Sequence, residues 1–107
     1  MIKANLFTTR DGSLVGFDIS GHSDFAERGQ DIVCAAVSSA AFLVANTICE
    51  IIKLTAETDV DEQGGMYLRV NRSDASSCSD VLLGFKLHLQ GLEEQYPENL
   101  TVNYLEV

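Results

Sequence analysis

The chain has 107 residues, 46% of them hydrophobic, and its 16 acidic and 7 basic side chains give a formal net charge of -9. This length suits one domain with a sizeable core, so we expect residues 1–107 to form a single domain. The acidic balance disfavours nucleic acid and anionic membranes as direct partners, because phosphate binding needs clustered Lys and Arg. A basic partner fits better.

The cysteines and the N-terminus indicate the compartment. Cys34, Cys49 and Cys78 are odd in number and follow no CxxC pattern, which is typical of free thiols. The sequence has no closely spaced pair of Cys or His residues of the kind that forms a structural zinc site. The N-terminus has no apolar core of signal-peptide length, and the alternation over residues 2–6 indicates a strand. We therefore expect a cytoplasmic protein.

Alternating runs of apolar and polar residues predict five strands. Ile2–Thr8 and Leu14–Ser20 predict a hairpin joined by a turn with Asp-Gly chemistry. Glu57–Asp61 and Met66–Asn71 predict a second hairpin, joined through a Gly-Gly turn. A final run, Leu100–Val107, predicts the fifth strand. One face of the second strand is expected to carry Val15, Phe17 and Ile19.

Two helices are predicted between these strands. Asp31–Leu54 has a long helical pattern with Asp31 as N-cap, and its apolar stripe comprises Val33, Val37, Ala40, Val44, Ile48 and Ile51. Further apolar side chains such as Phe42 and Leu43 make this helix central or part of an interface. The second helix follows a polar stretch, Arg72–Ser79, and ends at Tyr96; its stripe comprises Leu82, Phe85, Leu89 and Leu92.

The order of elements, ββαββαβ, predicts an α+β fold. We expect a single layer of mostly antiparallel sheet with the two helices packed on one face.

A histidine and a cysteine stand out in the segment GHSDFAERGQDIVCAAVS, residues 21–38. His22 precedes Cys34 by twelve residues, on a loop flanked by Gly21 and Gly29. The cysteine falls in the first turn of the predicted helix, where the helix dipole favours the thiolate. A thiol with an imidazole in reach is typical of a nucleophile with its base. The pattern therefore predicts cysteine-dependent acyl transfer, which needs no cofactor.

Two further residues are candidates for supporting roles. Asp31 could orient His22, although helix capping alone explains it. Ser38 lies one turn after Cys34 on the same helix face, where it could bond toward the site or to its own helix backbone. The backbone N–H groups at the helix start, including that of Cys34, are expected to bind the oxyanion.

The segment also carries a family resemblance. G-H, a loop and then G-x-D-I-V-C-A-A-V-S resembles the signature of the bacterial ribosomal-processing cysteine proteases, the Prp-like family. The resemblance implies one cysteine-protease domain over residues 1–107, with Cys34 as nucleophile and His22 as general acid and base. It also implies a homodimer and a substrate, the short N-terminal extension of large-subunit ribosomal protein twenty-seven, which is removed during ribosome assembly.

Two other functions are compatible with these residues. A thiol redox sensor would use the same activated cysteine, but it usually has a resolving thiol or a polar peroxide pocket. A non-enzymatic dimeric module associated with the ribosome would make His22 and Cys34 incidental. Peptide cleavage and peroxide consumption distinguish the three.

Overall fold

The computed structural model of the protein describes residues 1–22, 26–27 and 31–107. The elements in chain order are β1 (Ile2–Thr8), β2 (Leu14–Ser20), α1 (Ile32–Asn46), β3 (Ala56–Val60), β4 (Met66–Val70), α2 (Ala75–Gln95) and β5 (Leu100–Glu106). A π-helical turn, Thr47–Ile51, continues α1, and a 3-10 turn, Arg72–Asp74, precedes α2. The predicted order ββαββαβ is confirmed.

The five strands form one sheet in the order β3-β4-β2-β1-β5. β1 runs parallel to β5, and the other neighbouring strands are antiparallel. The first and last strands therefore lie side by side, with Ile2 opposite Leu100. The two helices contact each other, and α2 also contacts β2 and β5. The predicted α+β fold, a mostly antiparallel layer with helices on one face, is confirmed.

The core lies between the sheet and the helices. Phe17 of β2 is fully buried, and its ring meets that of Phe85 of α2 edge-on at 4.7 Å between centroids. The predicted face of β2 is confirmed by the burial of Val15, Phe17 and Ile19. The predicted stripe of α2 is confirmed by the burial of Leu82, Phe85 and Leu89, whereas its last member, Leu92, is half-buried.

The first helix is regular over a shorter range than predicted. Instead of running from Asp31 to Leu54, α1 ends at Asn46 and passes into the π-helical turn, where the N–H of Ile52 donates to the C=O of Thr47 at 2.9 Å. A π turn holds an additional residue, so the side chains that follow it rotate away from the predicted stripe.

The stripe is accordingly correct only as far as Ile48, the second residue of that turn. It is confirmed by the burial of Val33, Val37, Val44 and Ile48. The prediction is wrong at Ile51, which is 76% exposed. It is also shifted by one residue in mid-helix, since Ala41 is buried and Ala40 is half-buried.

The second helix starts earlier than predicted. α2 begins at Ala75, inside the stretch expected to be polar and irregular. Ala75 and Cys78 are buried, whereas Ser76 and Ser77 are exposed. The two serines therefore lie on the solvent-facing side of the first turn of α2. Because they make the sequence of this turn look polar, its helical pattern was missed. The predicted end is confirmed, because the N–H of Tyr96 donates to the C=O of Leu92 at 2.8 Å.

The bounds of β1 and β2 are as predicted, whereas those of the other three strands differ from the predictions by one residue. β3 starts and ends one residue earlier, β4 ends at Val70, and β5 ends at Glu106.

Much of the first helical stretch is exposed within the part of the chain that the structure describes. Ile32–Ile51 is long and apolar enough to cross a membrane, a property that it shares with core helices of soluble proteins. Only 28% of its most apolar 18-residue segment is buried. Ile32, Phe42 and Leu43 are exposed, and we call these three residues the α1 outer face. Such a face is suited to contact with another surface.

Candidate active site

A cleft of about 560 Å³ lies where the start of α1 meets the sheet. Its lining residues come from β1 and β2, the loop after β2, the first turns of α1 and the β3–β4 turn: Ile2, Ile19, Gly21, His22, Ala26, Asp31, Cys34, Ala35, Val37, Ser38, Glu62, Gln63 and Gly64. The structure thus places Gly21, His22, Asp31, Cys34 and Ser38 around one space. Gly29, also predicted to belong to the site, lies outside the described residues.

Asp31 fixes the start of α1. Its backbone is extended, with φ -82° and ψ 99°, and its Oδ1 accepts hydrogen bonds from the N–H groups of Val33 and Cys34, both at 3.0 Å. Its C=O accepts from Ala35 at 3.1 Å. The predicted N-cap is confirmed. This cap places Cys34 in the first helical turn and at the wall of the cleft.

The same bonds correct one prediction. The N–H of Cys34 was expected to be available to an oxyanion, but in this structure it donates to the carboxylate of Asp31. The N–H of Val33 donates to the same oxygen. A carboxylate already satisfies these two donors, and its negative charge opposes a second anion beside it. The N–H groups of Val33 and Cys34 are therefore taken up by the N-cap and are not available to an oxyanion in this structure.

The three cysteines have different surroundings. Cys34 is half-buried at the cleft. Cys78 is 1% exposed, and its Sγ lies 3.7 Å from the C=O groups of both Asp74 and Ala75. Burial raises the pKa of the Cys78 thiol, and the nearby charge of Asp74 raises it further. Cys49 is half-buried in the π turn. Of the three, only Cys34 lines the cleft.

The cleft combines an apolar floor with a polar rim. Ile2, Ile19 and Val37 are buried core residues that also reach its surface. Ser38 is half-buried and lines the cleft one helical turn after Cys34, as its spacing predicted. Such a surface fits an extended peptide, because apolar side chains can fill the floor while the rim meets polar groups.

Sequence reasoning missed the contribution of the β3–β4 turn. Glu62, Gln63 and Gly64 line the cleft, although the pattern marked them only as a turn. Their position follows from the pairing of β4 with β2, in which Met66 lies opposite Ile19. This register brings the turn next to the end of β2, where the His22 loop begins. Strand order is not encoded in local spacing, so the sequence held no signal for this neighbour.

Replacing Asp31 by alanine is expected to lower the free energy of unfolding by about 1 kcal/mol, because two N–H groups at the helix start lose their acceptor. Thermal or urea unfolding monitored by circular dichroism measures the change. Asp31→Ser, which keeps a capping oxygen, is the matched control and should retain most of the stability. Equal losses for alanine and serine would contradict the capping role.

A family model described as cysteine protease Prp matches residues 1–101. The chain belongs to this family. It is therefore a cysteine protease, and the resemblance inferred from residues 21–38 is confirmed. Of the three functions considered from the sequence, membership of the Prp family supports the protease.

Relatives and solved structures agree with the Prp assignment. The ribosomal processing cysteine protease Prp of Bacillus subtilis is 32% identical over 107 residues, covering 95% of this chain and 96% of the relative. The crystal structure of the essential ribosomal processing protease Prp from Staphylococcus aureus with a covalently linked product peptide has a TM-score of 0.89 at 28% identity, covering 98% of this chain and 100% of the other. The same protease with a substrate peptide gives a TM-score of 0.84, with the same identity and coverage.

Proposed function

We propose that the protein is an endopeptidase that removes the short N-terminal extension of large-subunit ribosomal protein twenty-seven during ribosome assembly. The observation that carries the proposal is the position of Cys34 and His22 at one cleft with an apolar floor. Relatives named as ribosomal processing proteases, one of them solved with peptides, support a peptide from a ribosomal protein as substrate.

The proposed chemistry uses two side chains and no cofactor. The thiolate of Cys34 attacks the peptide carbonyl carbon, and His22 as imidazolium protonates the leaving amine as the C–N bond breaks. His22, now neutral, takes a proton from water as the water oxygen attacks the thioester carbonyl carbon. The C–S bond breaks, the acid is released, and Cys34 thiolate and His22 imidazolium are restored. Asp31 holds the amides of Val33 and Cys34, so these become donors to the oxyanion only when its carboxylate moves away.

The protein is further proposed to act as a homodimer in the cytoplasm, where ribosomes assemble. The α1 outer face supports a second copy as partner, because Ile32, Phe42 and Leu43 are 55%, 48% and 68% exposed. The net charge of -9 favours encounter with a basic ribosomal protein and disfavours direct binding to RNA or to an anionic membrane.

Incubation with the purified precursor of the ribosomal protein tests this function. We expect mass spectrometry to detect a single cut that removes the N-terminal extension, and no cut in the mature protein. An intact precursor, under conditions where other peptides are cleaved, would refute this substrate assignment but not the protease activity. Consumption of hydrogen peroxide without peptide cleavage would instead support the redox sensor.

A further inference from the structure

The β3–β4 turn forms a wall of the cleft that the proposed mechanism does not use. Residues 61–65, which we call the hairpin tip, connect the edge strand β3 to β4. Glu62, Gln63 and Gly64 of the tip line the same space as His22 and Cys34. A peptide bound for attack by Cys34 therefore lies beside the tip.

The hairpin tip is held in shape by Asp61. The Oδ1 of Asp61 accepts hydrogen bonds from the N–H groups of Gln63 at 2.9 Å and Gly65 at 2.8 Å. Two backbone bonds close the same turn, from Asp61 N–H to Gly65 C=O at 2.9 Å and from Gly64 N–H to Asp61 C=O at 3.2 Å. Gly64 has φ +90°, a left-handed conformation that favours glycine. The side chain of Glu62 is thus mounted on a turn closed by four bonds.

The charge of the cleft favours a basic ligand. Its described lining residues include two carboxylates, Asp31 and Glu62, and neither lysine nor arginine. The Asp31 carboxylate is engaged in capping α1, whereas Glu62 is exposed. Within the part of the chain that the structure describes, no hydrogen-bond or ion-pair partner holds Glu62. A carboxylate at the rim of a peptide cleft attracts a lysine or arginine side chain and repels an acidic one.

We propose that Glu62 is a specificity-determining residue, whose carboxylate pairs with a lysine or arginine side chain of the bound peptide. Glu62 projects from the turn that the bonds of Asp61 close. The inference rests on the proposed peptidase function to the extent that a peptide must occupy the cleft, but it does not depend on which ribosomal protein supplies that peptide.

Cleavage profiling with a proteome-derived peptide library tests the proposal without a known substrate. Mass spectrometry of the products should show lysine and arginine enriched at one position relative to the cut by the wild type. Glu62→Gln should lose this enrichment and lower kcat/KM on a peptide basic at that position by about twofold to fivefold. Glu62→Lys should reverse the preference, so that a peptide with glutamate at that position becomes the better substrate.

Glu94→Lys is the matched control, because it makes the same change in net charge at an exposed site on α2 that does not line the cleft. If Glu62→Lys and Glu94→Lys shift the profile alike, or if the wild type shows no basic preference, the proposal is overturned. A Glu62-dependent preference together with an intact ribosomal precursor would support the proposal and reject only the substrate assignment. Cleavage of the precursor, together with a profile that Glu62→Lys leaves unchanged, would support the substrate assignment and reject the role of Glu62.

Discussion

Replacement of Cys34 by alanine is expected to lower kcat/KM for peptide hydrolysis by at least about a thousandfold, because the proposed attacking atom is lost. Cys34 is half-buried at the edge of the core, so the loss of its single sulfur atom removes few core contacts. The free energy of unfolding should therefore change little. Steady-state hydrolysis of a peptide substrate and urea unfolding, measured on the same preparation, separate loss of chemistry from loss of fold.

Cys49 provides the matched control for this substitution. It is also half-buried, but it lies in the π turn and not at the cleft. Cys49→Ala should retain activity within a few-fold of the wild type. A Cys34→Ala protein that still cleaves peptides would reject Cys34 as the nucleophile. A folded Cys49→Ala protein without any cleavage would show that the loss of activity is not specific to Cys34.

Replacement of Phe17 by alanine is expected to lower the free energy of unfolding by about 3–5 kcal/mol, a large share of the total for a domain of this size. Phe17 has no exposed surface, and its ring packs edge-on against Phe85. Its removal leaves a cavity between β2 and α2 and also ends an aromatic contact. Chemical denaturation monitored by circular dichroism gives the change directly, through the shift of the urea midpoint.

Leu87→Ala is the control for Phe17→Ala, since Leu87 belongs to α2 but is 68% exposed. Its effect should stay below about 0.5 kcal/mol. If both variants lose the same stability, the interface between β2 and α2 is not the part of the core that holds the fold. A midpoint for Phe17→Ala within error of the wild type would contradict the burial seen here.

The strands and the start of the first helix were predictable because local spacing determines them. Alternation in Ile2–Thr8 and Leu14–Ser20 gave both strands of the first hairpin with their observed bounds. A carboxylate three residues before Cys34 marked the N-cap, which the bonds of Asp31 confirm. In these segments the local pattern and the tertiary packing favour the same structure.

The remaining features depend on tertiary contacts, which the spacing of residues in the sequence does not predict. The π turn at Thr47–Ile51 follows no residue signal, and it displaces Ile51 from the core. The start of α2 was hidden because Ser76 and Ser77 face solvent while only small residues face inward. Glu62 reaches the cleft through the pairing of distant strands, so its neighbours became known only with the sheet order.

The pairing of β1 with β5 also sets the order in which the cleft can be completed. Ile2 lines the cleft, and its N–H donates to the C=O of Asn99 at 2.9 Å. Asn99 directly precedes β5, which is the last element in the chain. Contacts between such distant segments form late, since the intervening chain must first close into a loop. During synthesis on the ribosome the bond that holds Ile2 therefore cannot form until Asn99 has emerged. A nascent chain that already carries Cys34 and His22 still lacks this anchor for the side of the cleft at Ile2.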